Sequence, residues 1–126
     1  MASQPILRMT PEEYLKIERE AEFRSEYIDG HRYAMAGSSI NHVRIVRNAV
    51  RILGTQLVGS PCEAFSTDLR LWSATHRIYT YPDVIAACAP IHLQDNRHDT
   101  ITDASLVIEV LSPSTMNYDR GEKFRF

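Results

Sequence analysis

Two carboxylates stand in apolar stretches where charged side chains are rare. Glu109 interrupts the run Leu106–Leu111, whose alternating faces are both apolar, as in a strand at the centre of a sheet. An unpaired buried charge is costly, so we expect this carboxylate to be protonated, paired with a cation or bound to a metal ion. A buried ion pair with an arginine is the purely structural alternative.

Asp83 follows Pro82 within a second apolar stretch, which predicts a strand over Tyr79–Cys88. Proline disturbs no ladder at the start of a strand, so Pro82 marks where pairing begins. If this strand lies beside the one that carries Glu109, both carboxylates project from one face, where two negative charges need a cation between them. Hard oxygen ligands with open water positions suit Mg²⁺ or Mn²⁺. By itself, Asp83 could also be an ordinary aspartate at the start of a strand.

The elements in front of these strands are predicted by capping and turn residues. Thr10 and Glu13 form a capping-box pattern, and the helix that they begin extends to about Arg19. The pair Asp29-Gly30 separates two short alternating runs, which is typical of a β-hairpin. The chain therefore begins with a helix followed by a hairpin.

A longer helix is predicted between residues 39 and 57. Its apolar residues recur at spacings of three and four and form one expected buried face: Val43, Val46, Val50, Leu53 and Leu57. Three strand candidates follow the helix, with a polar loop over residues 91–104: Glu63–Trp72, Tyr79–Cys88 and Ser105–Leu111. A capping pattern at Asp119 and Glu122 predicts the start of a further helix. The order indicates an α/β domain.

The composition is that of one ordinary globular domain. The chain has 126 residues, of which 44% are hydrophobic and 24% charged, and a net charge of −2. This charge excludes a small basic protein that coats nucleic acid, so any DNA contact must be local. No stretch has the length of a membrane span or a signal peptide, so we expect a cytoplasmic protein. Cys62 and Cys88 form no CxxC motif, and we predict buried free thiols for both.

The order and spacing of these residues resemble a known class of nucleases. Pro82-Asp83, followed 26 residues later by Glu109-Val110-Leu111, is similar to the PD-(D/E)XK signature of restriction-endonuclease-like nucleases. The segments 26–30, 41–42, 81–84, 108–115 and 118–124 together resemble a bacterial family of predicted endonucleases, long catalogued as a domain of unknown function. The resemblance covers nearly the whole chain.

The resemblance implies a restriction-endonuclease-like core of a helix, a three-stranded mixed sheet and a helix. It also implies an endonuclease that hydrolyses DNA, in which Asp83, Glu109 and the Val110 carbonyl hold Mg²⁺ or Mn²⁺. The superfamily lysine two residues after Glu109 is replaced here by Leu111. In the family that the chain resembles, the lysine lies in the following helix, where Lys123 matches and would assist the attacking water. A solvated helix lysine is the alternative for that position.

Further candidate residues lie outside these motifs. Glu26 and Asp68 could supply additional ligands and His42 could contact substrate, although a hairpin cross-strand residue, a polar strand residue and a solvent-facing helix residue are the respective alternatives. A basic stripe on the longer helix could contact a phosphate backbone or simply be a solvated surface: Arg44, Arg47 and Arg51.

Leu111 motivates a second interpretation, a catalytically inactive nuclease-like fold that binds DNA or protein. A hydrolase of another substrate is not distinguished from a nuclease by the sequence. Because the fold that the chain resembles continues beyond its last helix, we expect residues 1–126 to be a single domain that lacks its C-terminal helix and strand. Small size and edge strands also suggest a homodimer.

Overall fold

The structure is a computed structural model that describes residues 8–35, 37–66 and 68–111. Helix α1 spans Pro11–Glu18 and helix α2 spans Ile40–Gln56. The strands, in chain order, are β1 Ser25–Ile28, β2 His31–Ala34, β3 Cys62–Ser66, β4 Arg70–Ser73, β5 Ile78–Thr80, β6 Val84–Cys88, β7 Thr100–Ile101 and β8 Leu106–Ile108. Within these described ranges, neither helix has the length and apolar composition needed to cross a membrane.

The N-terminal helix and hairpin form as the sequence predicts. The Thr10 hydroxyl accepts a hydrogen bond from the Glu13 N–H at 3.1 Å, and the Glu13 carboxylate accepts one from the Thr10 N–H at 2.8 Å. Asp29 and Gly30 have φ angles of 50° and 86° and make the two-residue turn between β1 and β2. A Cβ on Gly30 would lie 2.8 Å from the Cβ of Arg8, so glycine is required there for space as well as conformation.

Two sheets share one long antiparallel ribbon, in which the segment β3–β4 pairs with the segment β5–β6. The first sheet has the order β2-β1-β5-β4-β7, and the second has the order β3-β6-β8. Between the pairs Ser66–Val84 and Leu71–Thr80, the β3–β4 side of the ribbon has one residue more than the β5–β6 side. Asp68, in this longer segment, has a φ angle of 63°. The ribbon therefore bends at a bulge, and each arm belongs to a different sheet.

The α/β class is confirmed, and the bend corrects the predicted strand boundaries. The first two strand candidates are each divided into two strands, because Asp68 and Pro82 interrupt the ladder at the bend. The predicted loop 91–104 contains β7, which runs parallel to β4. The three-stranded sheet is antiparallel rather than mixed, because β6 runs opposite to both β3 and β8.

The described residues form two apolar core clusters. Helix α1 packs an aromatic cluster against the first sheet, and its members include Tyr14, Tyr27 and Tyr79. The second cluster joins the two sheets through Ile85 of β6 and Ile101 of β7. Helix α2 packs on β3 and β6. Of its predicted buried face only Val46 is buried, whereas Val43 is 52% exposed and the other three members are half-buried. The helix prediction is confirmed and the buried face is smaller than predicted.

The prediction of free thiols is wrong. Cys62 and Cys88 occupy directly opposite positions of the β3–β6 pair and form a disulfide. Their separation of 26 residues gave no sign of this contact, because strand register, rather than distance along the chain, brings the two side chains together.

Candidate active site

The register of β6 and β8 places the two predicted carboxylate residues next to the last paired residues of these strands. The strands are antiparallel, and Val84 at the start of β6 pairs with Ile108 at the end of β8. Asp83 directly precedes β6 and Glu109 directly follows β8, so both residues lie at the same end of the paired strands. The register thus brings the two carboxylate-bearing residues to one end of the β6–β8 pair.

The Asp83 carboxylate connects the beginning of β6 to the end of β8. Its Oδ2 atom accepts a hydrogen bond from the Val110 N–H at 2.7 Å, and the side chain is 18% exposed. Hydrogen bonds from an N–H to an ionised carboxylate are about twice as strong as neutral ones. This contact replaces a ladder hydrogen bond at the position where regular pairing between the two strands has ended.

His42 brings helix α2 to the same place. The Ser39 hydroxyl caps the helix by accepting a hydrogen bond from the His42 N–H at 3.1 Å, which fixes the first turn. The His42 Nε2 atom lies 3.0 Å from the Val110 carbonyl oxygen and 3.4 Å from Asp83 Oδ2. Helix α2, β6 and β8 therefore converge at Asp83 and the backbone of Val110.

Glu109 lies directly beside this junction. Its side chain is half-buried, and its Oε2 atom has almost no contact with solvent. Since Val110 follows it in the chain, the carboxylate and the neighbouring backbone carbonyl lie at the same end of β8. The structure thus brings together three of the predicted groups, Asp83, the Val110 carbonyl and His42, and Glu109 precedes Val110 in the chain.

A buried polar network fixes the chain just before Asp83. The Tyr81 hydroxyl donates to Glu18 Oε2 at 2.8 Å and accepts from Arg70 Nε at 3.0 Å. Burial raises the pKa of Tyr81 above its usual value, which keeps the hydroxyl protonated as a donor. Because these hydrogen bonds hold Tyr81 and Pro82 is fully buried, the start of β6 has a fixed position.

Glu18 is not among the residues predicted from the sequence, although a signal for it was present. Glu18 lies seven residues after Pro11 on the same helical stripe as Tyr14, and all three are buried. Its carboxylate also accepts hydrogen bonds from the Ser25 N–H at 2.8 Å and from Arg32 at 3.1 Å. A glutamate on the apolar stripe of a helix indicates a buried polar network.

The other candidate residues have different surroundings. Glu26 is buried on β1 and accepts a hydrogen bond from the Thr80 hydroxyl. Asp68 is exposed at the bulge and pairs with Arg24 at 3.2 Å. The arginine stripe is exposed along α2: Arg44, Arg47 and Arg51. Lys123 lies outside the described residues, as do Asp119, Glu122 and the predicted last helix.

The donor set at the junction suits a hard divalent cation. Across the described ranges, no group of three or more His, Cys, Asp or Glu side chains is arranged to hold a metal ion. Mg²⁺ is commonly bound by one or two carboxylates, with waters and substrate phosphates as its remaining ligands. Asp83 and Glu109 carry carboxylates and Val110 a backbone carbonyl, which are oxygen donors of the types that Mg²⁺ takes, whereas structural zinc sites take four protein ligands.

Residues 11–126 match the model of the Uma2 family, described as "Putative restriction endonuclease". The Synechocystis protein slr1290 is 42% identical over 123 residues, which are 98% of this chain and 64% of that protein. A second Synechocystis protein, sll1609, is 38% identical over 118 residues, which are 94% of this chain and 67% of the relative. The chain thus spans about two thirds of the length of these relatives.

The fold is shared with a crystal structure described as a "putative nuclease belonging to DUF820" from Anabaena variabilis. The two structures match with a TM-score of 0.75 and 22% identity, over 91% of this chain and 65% of the other. This likeness confirms the predicted α/β fold, and together with the family match it supports the restriction-endonuclease-like superfamily that the sequence motifs predicted. The chain belongs to the Uma2 family, whose members are described as "Putative restriction endonuclease".

Proposed function

We propose that the protein is a nuclease that uses Mg²⁺ or Mn²⁺ to hydrolyse phosphodiester bonds in DNA. The observation that carries this proposal is the register of β6 and β8, in which Val84 pairs with Ile108, so that Asp83 and Glu109 lie at the same end of the strand pair. Two carboxylates beside a backbone carbonyl would form a site for a cation that phosphate oxygens can share. Membership of the Uma2 family supports a nuclease.

Each group has a distinct part in this proposal. Asp83, Glu109 and the Val110 carbonyl would hold the ion, which when bound stabilises negative charge on the phosphodiester in the transition state. The hydrogen bond from the Val110 N–H keeps the Asp83 carboxylate in place before substrate arrives. Lys123 would orient or activate the attacking water, as the family resemblance implies.

The exposed arginines of α2 would bind the DNA backbone. Arg44, Arg47 and Arg51 lie on helix α2, whose first turn carries His42. The helix that carries the arginines therefore begins at the candidate site. Phosphate contacts of this kind give affinity that falls with salt, independent of base sequence. A homodimer, in which exposed Leu106 and Val107 of the edge strand β8 meet a second copy, belongs to the same proposal.

Cleavage of supercoiled plasmid in Mg²⁺ and in Mn²⁺ tests the nuclease. We compare the native chain with Asp83→Asn and Glu109→Gln, which keep the side-chain shape and remove the charge. The matched controls are Asp103→Asn and Glu63→Gln, whose carboxylates are exposed. We expect the first two substitutions to lower the cleavage rate by about 100-fold or more and the controls to retain it.

Cleavage that survives Asp83→Asn and Glu109→Gln would contradict the proposal. Leu111, in place of the superfamily lysine, favours one alternative, a nuclease-like fold that binds DNA without cutting it. That alternative predicts retarded DNA in a gel-shift assay, no cleavage by the native chain in either metal, and unchanged binding in Asp83→Asn.

A further inference from the structure

The His42 imidazole contacts two of the oxygen atoms that the proposed function assigns to the metal ion. Its Nε2 atom lies 3.0 Å from the Val110 carbonyl oxygen and 3.4 Å from Asp83 Oδ2. The His42 and Asp83 side chains are 15% and 18% exposed, so little water reaches the contact. The nitrogen that faces this site therefore interacts directly with its oxygen atoms.

The hydrogen bonds around His42 identify which ring nitrogen carries the proton. A carbonyl oxygen only accepts, so the 3.0 Å contact with Val110 requires an N–H at Nε2. Nδ1 is buried and, within the described residues, has no hydrogen-bond partner. A proton on Nδ1 would leave a buried N–H without an acceptor and lose the bond to Val110. The ring thus carries a proton on Nε2, which is assigned from the network.

This tautomer makes His42 a donor to the site rather than a metal ligand. A ring nitrogen that coordinates a metal uses a lone pair, and at Nε2 that lone pair is occupied by the proton. The same N–H takes up lone-pair density on the Val110 carbonyl oxygen. Asp83 Oδ2, its second neighbour, already accepts from the Val110 N–H at 2.7 Å. On the side of these oxygen atoms that the ring occupies, a cation would have to displace the His42 N–H.

We propose that His42 is a positioning residue that closes the candidate metal site in the absence of the ion and must release it for the ion to bind. In the closed state, the imidazole N–H donates to the Val110 carbonyl and lies beside Asp83 Oδ2, which ties α2 to the adjoining ends of β6 and β8. Binding of a divalent cation exchanges this N–H for the ion. His42 thereby sets the metal concentration at which the site is occupied. The proposal rests on the metal site of the proposed function.

Metal affinity tests this exchange without reference to catalysis. Mn²⁺ binding to the full chain is measured by isothermal titration calorimetry and by the electron paramagnetic resonance signal of free Mn²⁺. We compare the native chain, His42→Ala, His42→Gln and the control His92→Ala, whose side chain is exposed. Circular dichroism verifies that each variant is folded.

Removal of the competing N–H should tighten binding. A net hydrogen bond corresponds to a change of about 2- to 10-fold in affinity, so His42→Ala should bind Mn²⁺ more tightly by that factor. His42→Gln, which keeps an N–H donor on a side chain of similar reach, should restore the native affinity, and His92→Ala should not change it. In ¹⁵N-edited spectra of the native chain, the signal of the His42 Nε2–H should disappear when a magnesium salt free of zinc is added.

The opposite results separate the exchange from the site itself. A fall in affinity in both His42→Ala and His42→Gln would identify His42 as a ligand, and an unchanged affinity in His42→Ala would show that no competition exists. Either result overturns the exchange and leaves an Asp83-dependent metal site standing. Mn²⁺ binding that is absent from the native chain, or equal in Asp83→Asn, overturns the metal site and the exchange together.

Discussion

Tyr81→Phe removes a single buried hydroxyl that connects two charged side chains. The aromatic ring remains, and with it the stacking of the Arg70 guanidinium at 5.4 Å from the ring centroid. The hydrogen bonds to Glu18 at 2.8 Å and from Arg70 at 3.0 Å are both lost. The substitution therefore isolates the hydroxyl from the packing of the side chain.

The expected loss of unfolding free energy depends on the hydrogen bonds that Glu18 and Arg70 retain. Glu18 keeps hydrogen bonds from the Ser25 N–H and Arg32, and Arg70 keeps one to Thr100 at 3.0 Å. A hydrogen bond to a charged group contributes about 1.5–3 kcal/mol, and both partners retain other hydrogen bonds. We therefore expect Tyr81→Phe to lower the free energy of unfolding by about 2–3 kcal/mol, nearer to one such bond than to two.

Urea unfolding with linear extrapolation measures this loss, provided that the slope of the unfolding free energy against urea concentration is the same in the variant and the native chain. Tyr27→Phe is the matched control, because the Tyr27 hydroxyl donates to one neutral acceptor, the Met9 carbonyl, at 2.7 Å. It should cost about 1 kcal/mol. In a double-mutant cycle, Tyr81→Phe and Glu18→Gln should couple by about 1 kcal/mol or more. A loss in Tyr81→Phe no larger than in Tyr27→Phe, or no coupling, would refute the network.

Two further predictions concern the disulfide and an ion pair. The Cys62–Cys88 bond joins residues 26 positions apart, and the chain-entropy relation for that loop gives about 3.5 kcal/mol. Reduction should lower the free energy of unfolding of the native chain by up to this amount. A Cys62→Ser/Cys88→Ser variant should not respond to reductant. Equal urea midpoints of the native chain with and without reductant would contradict the disulfide. Hydrogen bonds from Arg19, both at 2.8 Å, hold the pKa of Asp99 well below its usual range. Because the folded-state pKa is the lower one, this pair stabilises the protein above about pH 4 and the contribution is lost as the pH falls through the folded value. Asp99→Asn should therefore flatten the decline in melting temperature between about pH 4 and pH 2, and a decline as steep as in the native chain would contradict this linkage.

Local chemistry made the N-terminal elements predictable. The Thr10–Glu13 capping box and the Asp29-Gly30 turn depend on residues within a few positions of one another, and both form in the structure. The strands next to Asp83 and Glu109 were also predictable from their apolar runs, although β6 begins only at Val84 and β8 ends at Ile108, so both carboxylates lie just outside the strands. These predictions use information that each short segment contains.

Contacts set by register were not predictable in the same way. The bulge at Asp68 adds one residue to one arm of the ribbon, and hydrophobic alternation does not record such an insertion. The disulfide follows from the register of β3 and β6, and the hydrogen bond from the Val110 N–H to Asp83 follows from that of β6 and β8. Each depends on the pairing of segments far apart in the sequence.

The bend in the ribbon explains why the candidate site lies at Asp83. Pro82 has no N–H to donate, and regular pairing of β6 with β8 begins only at Val84, so the backbone leaves hydrogen-bonding groups of Val110 without ladder partners. The Asp83 carboxylate and the His42 imidazole satisfy those groups with side chains. Side chains, unlike a ladder, can exchange one partner for another at little cost to the rest of the sheet. The interruption of the sheet therefore supplies both the polar groups and the freedom that a binding site for a cation and a phosphate requires.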